Sequence, residues 1–147
     1  MNMKILDTPY GICHLSVVPV RLAPDEGAEM VTQLLFGELL QVLEKHNSWS
    51  YIRLLFDNTE GWVDNNQITE ISDKDYRKSL KKKDKYAHKW LTNLRLKTGD
   101  DLFLHIPKGA TFSHNHLLHT SQSTQRPSNK GVVATALEYL NVPYLSG

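Results

Sequence analysis

The fold is decided by residues 11–67, which read GICHLSVVPVRLAPDEGAEMVTQLLFGELLQVLEKHNSWSYIRLLFDNTEGWVDNNQ. Turn-forming residues break the short apolar runs about every 8 to 12 residues, a spacing typical of a small all-β barrel or sandwich. LLQVLEK alternates apolar and polar residues, HNS is a turn signal, and WSYIRLLF runs back, so residues 39–56 predict a β-hairpin. Pro19 indicates that the run SVVPVR lies at a sheet edge or contains a bulge. We predict about five or six strands between Tyr10 and Ile71.

The composition changes after this predicted barrel. Six basic side chains follow one another closely there: Arg77, Lys78, Lys81, Lys82, Lys83 and Lys85. Ser72 or Asp73 can cap a helix, so we predict a basic linker helix over residues 73–85. The run has no interleaved aromatic residues and no polar base-reading side chains, which favours a solvated surface over a nucleic-acid site.

Two further strand signals, YAHKWLTNLRLK and DLFLHIPKGATF, are joined by the turn pair Gly99-Asp100. They predict a second β segment over residues 86–128. The final stretch, residues 129–147, places apolar side chains at i, i+3, i+4 and i+7, which predicts an amphipathic helix. These side chains are Val133, Ala136, Leu137 and Leu140.

Composition excludes several classes of function. The chain has 147 residues and a formal net charge of +1, so no strong field favours nucleic acid or an anionic membrane. No apolar run reaches the roughly 18 residues of a membrane span. The start lacks the apolar core of a signal peptide, which leaves the compartment open between the cytoplasm and an exported chain that has lost its leader. No cofactor motif is present.

Cys13 is followed directly by His14, and a thiolate beside an imidazole is the core of a cysteine nucleophile. Successive side chains of a strand point to opposite faces, so these two residues cannot share a proton without a bulge. We therefore expect Cys13 to be a buried structural thiol and predict no catalytic residue in the chain.

Four histidines form a candidate metal site. His114 and His116 have the H-x-H spacing that lies on one face of a strand, with His119 and His105 nearby, and imidazoles bind zinc or copper. No carboxylate or thiolate accompanies them in sequence, which favours a surface histidine cluster without metal. The sequence leaves metal binding by these residues open.

The three tryptophans could form a ligand-binding floor: Trp49, Trp62 and Trp90. In a small barrel a tryptophan more often packs in the core or at the rim.

The order of motifs resembles a bacterial SH3 domain, in the form that precedes the catalytic domain of NlpC/P60 cysteine peptidases. The matching features are SVVPVR with its proline-containing loop, EMVTQLLFGE, the hairpin that leads to Trp49, and EGW before the exit strand. The resemblance implies a small SH3-like barrel at residues 1–72, a basic linker at 73–85, and a degenerate SH3-like segment at 86–128. It also implies that residues 129–147 begin a truncated NlpC/P60 domain, before its Asp-Cys-Ser-Gly nucleophile motif.

The resemblance also implies a site. In that family an acidic residue and a tyrosine of the SH3 domain address the free amine of a cell-wall peptide. Glu29 matches the acidic position, whereas Thr59 occupies the position expected to be tyrosine, and Trp62 follows in the EGW motif. Ser146 stands where a tryptophan is often found. A carboxylate facing an ammonium discriminates a free amine from an amide, although an exposed carboxylate without a ligand is the alternative.

These observations predict a non-catalytic SH3 region of a cell-wall peptide hydrolase. Its partner would be a murein peptide or the peptidase domain, and it would position the substrate or restrict access to it. The alternative is a stand-alone bacterial SH3 binding module. The two would be separated by whether the gene encodes an Asp-Cys-Ser-Gly motif after Gly147.

Overall fold

The computed structural model describes residues 7–83, 85–87, 91–96, 103–118 and 120–121. Its strands are β1 Tyr10–Cys13, β2 Val17–Arg21, β3 Met30–Leu35, β4 Leu39–His46, β5 Trp49–Leu54, β6 Glu60–Asp64, β7 Ile68–Glu70, β8 Leu91–Leu96, β9 Phe103–Pro107 and β10 Thr120–Ser121. A 3₁₀ turn at Asn65–Gln67 and the helix α1 at Asp73–Ser79 complete the elements of this part of the chain. The predicted mainly β fold is confirmed.

Strands β1 to β7 form one antiparallel sheet in the order β3-β2-β6-β5-β4-β1-β7. The hairpins of this sheet are β2–β3, β4–β5 and β5–β6, and β1 lies between β4 and β7. The register of β2 against β3 shifts between Val20 and Arg21, and Pro19, which has no N–H to donate, lies in the strand just before this shift. The predicted irregularity in this run is therefore present.

The predicted hairpin is formed by β4 and β5. His46 pairs with Trp49 at its closed end, and Asn47 in the turn adopts a φ of 53°. Asparagine tolerates this left-handed conformation better than most residues do. Local turn chemistry and the alternating burial along β5 agree on the register near the turn, and the register shifts farther along, between Val42 and Glu44.

The inward-facing side chains of this sheet form the main core of the described residues. Its buried members are Cys13, Val18, Val20, Leu34, Leu40, Val42, Ile52, Leu54, Val63 and Ile68. Ser50 is the buried polar side chain of β5, and its Oγ donates a 2.7 Å hydrogen bond to Oδ1 of buried Asn65. This pair avoids leaving polar groups unsatisfied where the 3₁₀ turn meets the sheet.

Helix α1 begins where the sequence indicates. The Ser72 side chain accepts a hydrogen bond from the backbone N–H of Asp75 (3.1 Å), which is N-terminal capping. The helix ends at Ser79, so it covers about half of the predicted linker. No helix in the described part of the chain is long and apolar enough to cross a membrane.

A second, three-stranded antiparallel sheet has the order β10-β8-β9. Leu91 pairs with Pro107 and Arg95 with Phe103 across its central ladder, which confirms two of the predicted strands. Whether this sheet is a degenerate SH3 domain remains a prediction. The turn pair Gly99-Asp100 and the predicted helix at 129–147 lie outside the described residues.

The two sheets meet at the turn between β3 and β4. The Phe36 ring, 1% exposed, packs in the core of the second sheet, and its carbonyl accepts a 3.0 Å hydrogen bond from the N–H of Thr111. Gly37 follows with a φ of +83°, and a Cβ there would lie 2.1 Å from the Thr111 carbonyl oxygen. Glycine is therefore required at this junction both for the backbone conformation and for the close approach.

Candidate functional site

A groove runs along β3 and the turn between β5 and β6. Its volume is about 480 Å³. The lining residues combine apolar walls with two carboxylates: Met30, Thr32, Gln33, Leu35, Glu38, Leu54, Phe56 and Asp57. Phe56 is 76% exposed, which is unusual for so large an apolar side chain and marks this edge of the groove as a candidate contact surface.

The two carboxylates of the groove are fixed by backbone donors. Oε2 of Glu38 accepts a 2.9 Å hydrogen bond from the N–H of Leu35, and Oδ1 of Asp57 accepts a 2.9 Å bond from the N–H of Thr59. Burial raises the pKa of Glu38, the Leu35 hydrogen bond opposes this shift, and the negative charge of Asp57 raises that pKa further. Two fixed carboxylates that repel each other favour a cation between them.

The sequence-predicted residues Glu29 and Thr59 lie beside this groove in the chain. Exposed Glu29 directly precedes Met30, and half-buried Thr59 follows Asp57 by two positions. The loop before β3 and the turn before β6 lie at the same end of the sheet. This follows because β2 pairs antiparallel with both β3 and β6. Amine recognition by Glu29 and Thr59 remains a prediction.

Trp62, the third predicted site residue, lies on β6 and is not among the groove-lining residues. Its ring contacts Tyr51 on the neighbouring strand at a centroid distance of 5.3 Å and His46 at 6.2 Å. These rings pack together on the face of the sheet opposite the core, with Trp62 half-buried. A role for Trp62 in binding stays a prediction.

Sequence reasoning missed three residues that the fold brings together: Glu38, Phe56 and Asp57. The signal for Glu38 was its position after Gly37, in the turn that leads into β4. Phe56 and Asp57 lie in LLFDNT, in which an apolar run continues into a turn. Only the fold places these two segments side by side.

The expectation that Cys13 is a structural thiol is confirmed. The side chain is fully buried, and its Sγ lies 3.3 Å from the carbonyl oxygen of Leu15. Burial raises the pKa of this thiol to about 12, so the reactive thiolate is scarce at neutral pH. Nδ1 of His14 instead lies 3.1 Å from the hydroxyl of Thr69.

The H-x-H spacing of His114 and His116 would place both rings on one face only in a strand, and this stretch is not a strand. Residues 113–118 form successive turns, with the N–H of Leu117 bonded to the carbonyl of His114 at 2.8 Å. His114 is consequently buried, with Nδ1 3.1 Å from the carbonyl of Gly37, whereas His116 is exposed beside Lys82. Burial and then the charge of Lys82 lower the pKa of His116. His119 lies outside the described residues. Among the described residues, no group of three or more His, Cys, Asp or Glu side chains is placed to hold a metal ion.

The basic run is solvent-exposed, as predicted. All six of its basic side chains are exposed: Arg77, Lys78, Lys81, Lys82, Lys83 and Lys85. Arg77 forms an exposed ion pair with Asp73 one helical turn earlier at 2.7 Å, a kind of contact that contributes little to stability.

Comparison with known proteins finds a similarity for most of the first barrel. Residues 20–68 match the model of a family described as the bacterial dipeptidyl-peptidase SH3 domain. A solved NlpC/P60 family protein from Bacillus cereus ATCC 10987 has a similar fold, with a TM-score of 0.57 and 13% sequence identity. The similarity covers 69% of this chain and 46% of that protein, so the chain spans less than half of its length. No curated protein matches the sequence significantly.

Proposed function

We propose that this chain, in which residues 20–68 match a bacterial SH3 family, holds a cell-wall peptide in the groove beside β3 for an associated peptide hydrolase. The observation that carries the proposal is the pair of fixed carboxylates, Glu38 and Asp57, in a groove with apolar walls. A peptide with a free amine would place its ammonium at the carboxylates and its apolar groups against Phe56 and Leu54.

Two further observations support a positioning role. Residues 20–68 match a bacterial SH3 family, and the thiol of Cys13 is fully buried in the main core. The solved protein with a similar fold is named as an NlpC/P60 family member. A cysteine peptidase acting on murein peptides is accordingly the parent activity that we propose.

The test is a titration of the isotopically labelled chain with L-Ala-γ-D-Glu-L-Lys, followed by NMR. We expect saturable shifts at Glu38 and Phe56, and an N-acetylated form of the peptide should bind about tenfold more weakly because its ammonium is lost. Asp57→Asn keeps the oxygen that accepts from Thr59 but removes the charge, so it should weaken binding of the free-amine peptide by a similar factor. Glu29→Gln tests the residue implied by the family resemblance.

The control is Glu44→Gln, which removes an exposed carboxylate of β4 that does not line the groove. Affinity should also fall as the pH drops through the raised pKa of Glu38, because protonation removes a charge that attracts the ammonium. Equal affinity for the free and acetylated peptides, or equal effects of Asp57→Asn and Glu44→Gln, would refute the proposal. A stand-alone binding module would use the same groove without a peptidase.

A further inference from the structure

A second cavity adjoins the groove. Its volume is about 240 Å³, and it shares Glu38, Leu54 and Phe56 with the groove. Its apolar walls are Leu39, Leu54, Leu55, Phe56 and Tyr86. Leu55 is 41% exposed and Phe56 76% exposed, so the apolar surface at the mouth of the cavity is open to solvent.

The second β segment completes this cavity. Tyr86, Thr111 and His114 supply one side, and Gly37 and the barrel supply the other. The two sides are held together by the 3.0 Å hydrogen bond from Thr111 to Phe36 and the 3.1 Å contact between His114 Nδ1 and the Gly37 carbonyl. A barrel without its neighbour would lack three of the nine residues that line the cavity.

Most polar groups of the walls already have partners. The Thr111 hydroxyl donates a hydrogen bond to the carbonyl of Lys85, and Nδ1 of His114 is engaged with the Gly37 carbonyl. Nε2 of His114 is buried without a hydrogen-bond partner among the described residues, and Glu38 is the carboxylate shared with the groove. A charged portion of a ligand would therefore stay in the groove, while an apolar portion could enter the cavity.

We propose that this cavity is an apolar subsite, which accepts a branched aliphatic or single-ring side chain of a peptide lying in the adjoining groove. The size fits, since a protein cavity of about 150 Å³ lined by apolar side chains accommodates benzene. The identity of the ligand as a peptide rests on the proposed function, whereas entry of an apolar group into the cavity does not.

The first experiment uses toluene as the probe and leucine methyl groups labelled with carbon-13 as the readout. Toluene should shift the methyl signals of Leu39, Leu54 and Leu55 in a saturable manner and leave those of Leu22 and Leu43 unchanged. Leu55→Trp fills the cavity and should weaken toluene binding at least about tenfold. Leu43→Trp is the matched control, because Leu43 is 39% exposed and does not line the cavity.

The second experiment compares L-Leu-γ-D-Glu with L-Ala-γ-D-Glu, both with free amines. The leucine form should bind about tenfold or more tightly, because it buries more apolar carbon. Absence of saturable toluene shifts at Leu39 and Leu54, or their persistence in Leu55→Trp, would overturn the subsite. Equal affinity for the two peptides would overturn its use by the peptide. Toluene binding without binding of either peptide would sink the proposed function and leave the cavity as an apolar site.

Discussion

At the scale of single residues, Cys13 shows how burial changes the pKa of a side chain. The thiol lies among apolar side chains of the main core, where water cannot stabilise the thiolate. Its pKa is raised from 9.0 to about 12. The sulfur contacts the carbonyl of Leu15 at 3.3 Å, while Nδ1 of the neighbouring His14 lies 3.1 Å from the Thr69 hydroxyl.

The raised pKa of Cys13 predicts a dependence of stability on alkaline pH. Between pH 9 and 12 the unfolded chain loses the thiol proton while the folded chain keeps it, so this group should lower the free energy of unfolding as the pH rises. The slope approaches about 1.4 kcal/mol per pH unit. Urea unfolding at several pH values should show a smaller decrease for Cys13→Ala than for the wild type. Parallel decreases in the two proteins would contradict this assignment.

At the scale of elements, the turn between β3 and β4 connects the two sheets. Gly37 adopts a φ of +83°, and its backbone approaches Thr111 so closely that a Cβ would lie 2.1 Å from the carbonyl oxygen. The turn thus combines a left-handed conformation with a contact that has no space for a side chain.

We predict that Gly37→Ala destabilises the protein by more than about 2 kcal/mol, because conformational strain and displacement of Thr111 both contribute. Gly109→Ala is the matched control. Gly109 has a φ of +96°, but a Cβ there would come no closer than 3.5 Å to a neighbouring atom, Cδ1 of Leu35. It should therefore show the conformational cost alone. Chemical denaturation of both variants measures the difference, and equal losses would show that the close approach is unimportant.

At the scale of the whole molecule, the described residues of the two sheets share apolar contacts. Phe36 follows β3 of the barrel, yet it packs with the residues of the second core: Ala87, Leu94, Ile106, Ala110 and Phe112. A side chain of one sheet that is buried in the core of the other couples their stabilities. We expect the two β segments to unfold in one cooperative transition.

The variant Phe36→Ala tests this coupling. It should cost about 3–5 kcal/mol, as removal of a buried aromatic ring does, and hydrogen exchange should accelerate in β8 and β9 as well as in the barrel. Phe56→Ala removes the same ring from a position that is 76% exposed, so its cost should stay within about 0.5 kcal/mol. Faster exchange confined to one sheet in Phe36→Ala would show that the sheets unfold independently.

Much of the barrel could be predicted because its determinants are local. Alternating apolar residues and the turn at Asn47 specify the β4–β5 hairpin, and Ser72 specifies the start of α1. The H-x-H pattern did not determine where the histidines lie, because period-two spacing indicates a shared face only in a strand and residues 113–118 form turns.

The groove and the junction could not be predicted in the same way. Glu38 and Asp57 are brought to one groove by the order of strands in the sheet, and Phe36 meets Thr111 across a long separation in sequence. No local sequence pattern predicts either of these contacts, since each depends on packing between segments that are distant in sequence. The family resemblance supplied Glu29 and Thr59 near the groove but not the residues that line it.

The position of the Phe36 ring bears on how the protein can be dissected. A fragment that ends after the seventh strand would keep this ring but lose the apolar neighbours that shield it, and such a fragment would tend to self-associate. Workers who want the isolated barrel for crystallisation or display should therefore introduce a polar residue at position 36, and should test the recovered fragment for solubility before using it to measure ligand affinity.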